Sequence, residues 1–167
     1  IGAVAHIWPQ LNCDIYATPF TAILVQEKFK EKKIDISNKI KIVKLNSKMT
    51  LGPFKIDFVT LTHSILEPNG LSIHTPVGTI LHTGDWKIDP NPLIGGKTDK
   101  EKLKAIGQKG VIAMICDSTN VLNPGRAGSE LSVRESLLNI IEKQKNRVII
   151  TSFASNVARM ETIFYCA

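Results

Sequence analysis

The apolar pattern changes its period part-way along the chain, and this change limits the fold more than any single motif does. In the first half, short apolar stretches follow one another closely, as strands joined by turns do. Residues 39–46 partly alternate, with Ile40 and Ile42 set against Lys39, Lys41 and Lys44, and predict a strand with one wet face. Residues 54–62 predict a second strand that runs straight into His63. Residues 71–75 and 79–83 flank Pro76-Val77-Gly78, the pattern of a type I turn closed by a Gly bulge. That turn pairs Thr75 with Thr79. In the second half, strands alternate with helices. Residues 99–108 read as a helix ending at Gly110, and the continuously apolar residues 111–116 predict a strand covered on both faces. Ser132-x-x-Glu135 has the form of a capping box opening a helix to about Lys145. Residues 147–151 predict another buried strand, and residues 152–156 lead into a last helix. The mixture predicts a layered α/β protein with a boundary within residues 120–130, where Pro, Gly, Arg and Ser cluster.

Ahead of these elements, Val4, Ile7, Trp8 and Leu11 predict a helix stopped near Pro9. Residues 14–17 are β-like, and Thr18-Pro19 reads as the N-cap and first position of a helix reaching about Lys32. Hydrophobic residues at 43% and charged residues at 22% argue against disorder. No apolar run approaches the ~20 residues that cross a bilayer, so no membrane role is expected. Cys13, Cys116 and Cys166 are far apart and fit neither a disulfide framework nor a CxxC site, which points to a reducing cytosol. The apolar pattern is already under way at Ile1 and the last helical period simply stops. Helices normally carry start and stop signals, so the chain is expected to be a piece of a longer protein.

His63 and Asp85 both fall just beyond a strand end, where α/β scaffolds often place site residues. An imidazole and a carboxylate suit Zn²⁺ or Mn²⁺, and a carboxylate can bridge two such ions. Alternatively, His63 satisfies a backbone carbonyl and Gly84-Asp85 is an ordinary turn. With Thr75 opposite Thr79, His74 lies opposite Ile80 and shares a face with His82; the two are either ligands or, the favoured reading, a polar pair packed behind the site. Asp117 in Asp117-Ser118-Thr119-Asn120 is a candidate general acid/base, although these four residues are also a common turn composition. Ser152, Ser155 and Asn156 sit at a helix start with Arg159 one turn further on, a place that holds phosphate well. On residues alone, Ser155 as a plain helix cap is the favoured reading of that segment. The net charge of +6 and two Lys-rich stretches fit nucleic acid, or simply solubility.

Taken in order, these segments are more specific than any one of them. Thr62-His63-Ser64-Ile65, His74-Thr75-Pro76-x-Gly78-Thr79 and His82-Thr83-Gly84-Asp85-Trp86-Lys87-Ile88-Asp89 resemble the ribonuclease J family. So do Cys116-Asp117-Ser118-Thr119-Asn120 and Thr151-x-Phe153-Ala154-Ser155-Asn156-x-x-Arg159. The resemblance covers nearly the whole chain. It implies an αβ/βα sandwich of the metallo-β-lactamase fold over residues 1–124, with its N-terminal part missing, and the start of a β-CASP α/β domain over residues 125–167. It also implies a dinuclear metal hydrolase, with two divalent ions (Zn or Mn), that cuts RNA internally and from the 5′ end. On that pattern His63 and Asp85 are metal ligands, with Asp85 bridging. Asp117 lies by the catalytic centre, and Ser152, Ser155, Asn156 and Arg159 hold backbone phosphates. A cytoplasmic homo-oligomer is implied for the full-length protein.

Two departures stand out. The family's principal metal motif, His-x-His-x-Asp-His, belongs ahead of Ile1, and Leu66 stands where a Pro is expected. A catalytic zinc takes three protein ligands and a water, whereas His63 and Asp85 are two. The 167 residues are therefore expected to bind catalytic metal poorly and to lack nuclease activity. Two other classes compete. One is a hydrolase of a small ester or thioester on the same fold, which would lack the segment after Asn120. The other is a non-catalytic RNA-binding module.

Overall fold

Val4–Leu11 form α1, which runs through Pro9 and closes at Asn12, three residues beyond it, in a left-handed conformation (φ 43°, ψ 42°). The expected stop at Pro9 is thus displaced to an Asn, a residue that tolerates this conformation. Ile15–Ala17 make β1, and α2 (Pro19–Glu31) begins at the extended Thr18 with Pro19 in its first turn, as expected. β2 (Ile40–Ile42) returns parallel to β1, so residues 15–42 form one βαβ crossover. Phe29, fully buried, meets Trp8 edge-on at 5.5 Å, and Ala5, Val25 and Ile36 complete that core. The computed structural model describes residues 1–167, and these elements belong to the first of two units, Ile1–Ser47 and Lys48–Ala167. The mixed α/β class is the one the sequence pattern predicts. The division by contacts falls at residue 47, whereas the boundary expected at residues 124–125 lies inside the second unit.

The second unit is built on a five-stranded sheet, β3 (Lys48–Leu51), β4 (Phe54–Thr60), β5 (Asn69–Thr75), β6 (Gly78–His82) and β7 (Ala113–Ile115), in that spatial order. Sequence reading missed β3, which pairs with β4 across the Gly52-Pro53 turn. Neighbouring strands are antiparallel except β6 and β7, which are parallel and joined through α3 (Lys100–Lys109). β4, β6 and β7 consequently run the same way and end at one edge of the sheet.

The β5–β6 hairpin corrects the expected register. Thr75 pairs with Gly78 and His74 with Thr79, so the loop is Pro76-Val77 rather than a three-residue turn with a bulge. Thr75 reinforces it, donating its hydroxyl to the Gly78 carbonyl at 2.8 Å. A slip of one residue reverses every side chain. His74 therefore shares a face with Ser72 and Asp57, while His82 lies on the other.

Three further expectations fail. β7 is short and exposed, with Ile112, Met114 and Ile115 more than half accessible, because it is the edge strand and no element of this unit lies beyond it. Residues 147–151 form no strand and are exposed. An apolar run reveals an appetite for cover without showing what provides it. The helix α4 (Glu130–Glu142) starts at Ser129, whose hydroxyl accepts from the Leu131 N–H, and not at the expected capping box on Ser132. The last helix, α5 (Val157–Cys166), lies against α4, where Arg134 pairs with Glu161 and covers the Tyr165 ring at 4.5 Å.

Candidate active site

Three strand ends supply the site. Beyond β4, Thr62 bridges to Lys87: the Lys87 N–H donates to the Thr62 carbonyl at 2.9 Å, and the Thr62 hydroxyl donates to the Lys87 carbonyl at 2.5 Å. That double tie fixes His63, the next residue, against the loop that follows β6. The His63 ring is half-buried, with Nδ1 at 3.2 Å from the Ser64 hydroxyl. Beyond β7, the Asp117 N–H donates to the Thr83 hydroxyl at 3.2 Å, and the Trp86 indole N–H donates to the Asp117 carbonyl at 3.3 Å.

Asp85 stands at the corner between these ties. Gly84 precedes it at φ +60°, and the Gly84 N–H donates to Nδ1 of His82 at 3.1 Å. His82 thus supports the corner from β6, a role the sequence reading did not assign. The Asp85 carboxylate is exposed. A Cβ on Gly84 would find its nearest neighbour, the Asn69 carbonyl oxygen, at 3.6 Å, so only the backbone resists substitution. Gly84→Ala is expected to cost about 1–2 kcal/mol, the left-handed penalty for an L-residue. Urea unfolding of the two proteins measures it.

Asp117, a candidate site residue, closes a turn with Thr119. The Thr119 hydroxyl at 2.6 Å and its N–H at 3.0 Å hold the Asp117 carboxyl below its ordinary range, against a smaller upward push from burial. The Trp86 backbone N–H and the nearby His63 add to the lowering. Asp117 is accordingly an ionised acceptor at neutral pH. Asp117 thus lies near His63 and is tied to Trp86, the residue after Asp85, although no three His, Cys, Asp or Glu side chains gather closely enough to hold a metal ion.

The phosphate-binding candidates lie at the start of α5. The Ala158 N–H donates to the Ser64 carbonyl at 3.2 Å, which seats this helix beside the His63 corner. Asn156, not Ser155, is the cap, accepting from the Arg159 N–H at 3.0 Å. Ser152 and Ser155 are exposed. The Arg159 guanidinium is engaged by Glu130 at 3.3 Å, with its Nε–H left without a partner.

A buried carboxylate that the sequence reading passed over, Asp89, anchors the same loop. Its oxygens accept from the N–H groups of Asn91 and Glu130, each at 2.9 Å, and Lys87 lies 3.3 Å away. Its tie to Glu130, 41 residues away, leaves no local signature to find.

Comparison with known proteins finds sequence relatives over nearly the whole chain. Ribonuclease J of Sinorhizobium meliloti is 44% identical over 162 residues, 97% of this chain and 29% of the relative. The Corynebacterium glutamicum ribonuclease J is 41% identical over 96% of the chain, and ribonuclease J2 of Bacillus subtilis 32% over all of it. By sequence, the chain is a ribonuclease J relative. It spans under a third of the length of the ribonuclease J proteins it matches. No protein-family model matches. In structure, it resembles a protein of unknown function from Enterococcus faecalis V583, with a TM-score of 0.65 at 17% identity, covering 91% of this chain and 39% of that one. This likeness speaks to fold alone. The strand ends carrying His63, Asp85 and Asp117 lie within the stretch aligned to ribonuclease J. No helix is long and apolar enough to cross a membrane.

Proposed function

We propose that these residues form part of the active centre of a cytoplasmic, metal-dependent ribonuclease that cleaves RNA internally and from its 5′ end. The supporting observation is the convergence of His63, Asp85 and Asp117 at one sheet edge, in a chain homologous to ribonuclease J over nearly all its length. The scaffold in this reading is a metallo-β-lactamase sandwich, with a β-CASP domain beginning near residue 125 and the full-length protein a homo-oligomer. Asp85 and His63 are two donors of a larger set, Asp117 is a charged acceptor beside them, and Ser152, Ser155, Asn156 and Arg159 face the RNA backbone.

The donors present do not by themselves fit a dinuclear centre. A catalytic zinc needs three protein ligands, and no such trio gathers here. The 167-residue chain is therefore expected to show no stoichiometric tight zinc in a calorimetric titration and no RNA cleavage. Tight binding with turnover would overturn the ligand count. The test of the function itself uses the full-length protein: a 5′-labelled RNA should be cut, cutting should stop with chelator, and added Mn²⁺ or Zn²⁺ should restore it. Chelator-insensitive RNA binding without cutting would favour a non-catalytic RNA-binding module instead.

A further inference from the structure

Four charged side chains join the Asp85 loop to the two last helices. The Glu130 carboxylate sits at their centre, 2.9 Å from Lys87 Nζ through one oxygen and 3.3 Å from the Arg159 guanidinium through the other. Its backbone N–H donates to Asp89 at 2.9 Å, and Asp89 in turn lies 3.3 Å from Lys87. Glu130 is 8% exposed and Asp89 3%. Two cations and two anions make the group neutral, so it can be buried without an uncompensated charge.

Its location is more telling than its strength. Lys87 is two residues from Asp85, and its own backbone is tied to Thr62, the residue before His63. Arg159 is one residue from Ala158, whose N–H reaches the Ser64 carbonyl, the residue after His63. Glu130 thus bridges the loop of one candidate ligand to the helix seated beside the other. Buried ion networks contribute little net stability compared with apolar packing, but their directionality can fix one arrangement among several.

We propose that Glu130 is a positioning residue, holding the Asp85 loop and the start of α5 in one fixed relation. This rests on the ribonuclease reading for its effect on turnover, though not for its effect on the loop. In the full-length protein, Glu130→Gln keeps the shape and removes the charge. Amide exchange across residues 83–89 should then quicken. Turnover of RNA should fall by about 10–100-fold, the scale on which small misplacements act, with KM nearly unchanged. Unchanged exchange at residues 83–89, or a change confined to KM, would overturn the proposal. If Glu130→Gln does not fold, Arg159→Gln removes only the outer arm. It should quicken exchange at Ser64 and in the first turn of α5 more than at residues 83–89, and the reverse order would overturn the proposal. A wild-type protein that does not cut RNA would defeat the ribonuclease reading, while the exchange arms would still decide the positioning role.

Discussion

Full-length protein carrying Asp85→Ala is expected to lose more than about 100-fold of its RNA-cleaving turnover, at or above the usual worth of one positioned catalytic group. Its melting temperature should stay where it was. The two halves of this expectation come from one observation. Asp85 is exposed on a corner shaped by other residues: Gly84 supplies the turn, His82 accepts the Gly84 N–H, and Trp86, the next residue, donates its indole N–H to the Asp117 carbonyl. The Asp85 side chain contributes to none of these ties, so its removal leaves the corner standing. Surface substitutions away from caps, networks and cores seldom move stability much. Asp85→Asn should behave in the same way, because the amide keeps the shape and discards the charge. Turnover within a few-fold of wild type in either variant would remove Asp85 from the site. A large fall in melting temperature would instead make it structural.

Strand ends proved more legible than strand pairing. Thr18-Pro19 announces its helix because an extended Thr and a φ-locked Pro suit a helix start, and α2 begins there. A run of strand-forming residues meeting His63 likewise marks a strand end, since β4 stops just before it. The hairpin register was beyond reach. Gly78 serves equally as a bulge or as a first strand residue, and only the partner strand chooses between them. That single choice separated His74 from His82.

Burial is hidden from the sequence for a related reason. Residues 111–116 and 147–151 are apolar enough for a core, yet nothing in their unit covers them. Glu130 is not legible because its charged partners, Lys87 and Arg159, lie 43 and 29 residues away, whereas the Thr18-Pro19 helix start is visible within two. Local chemistry is written locally. The supports of the site are written across the chain.

Asp89 shows how much such a support carries. Burial alone pushes its carboxyl up, but the Glu130 N–H, the Ser129 hydroxyl, the Asn91 N–H and Lys87 together hold it below the ordinary value. A carboxyl whose folded pKa is depressed stabilises the fold above its unfolded pKa of about 3.9. That contribution drains away as the pH falls through the lower folded value. Asp89→Ala is therefore expected to cost about 3 kcal/mol near neutral pH, the scale of breaking a buried pair, because two N–H groups and Lys87 lose their acceptor. Urea unfolding at pH 7 measures the loss. The same titration repeated down to pH 3 should show the gap between wild type and variant closing below about pH 4, since only the wild type has a depressed carboxyl there to protonate. A gap that stays constant with pH would mean that Asp89 acts through packing alone. A gap that widens in acid would require a folded pKa above the unfolded one, which the four donors around this carboxylate argue against.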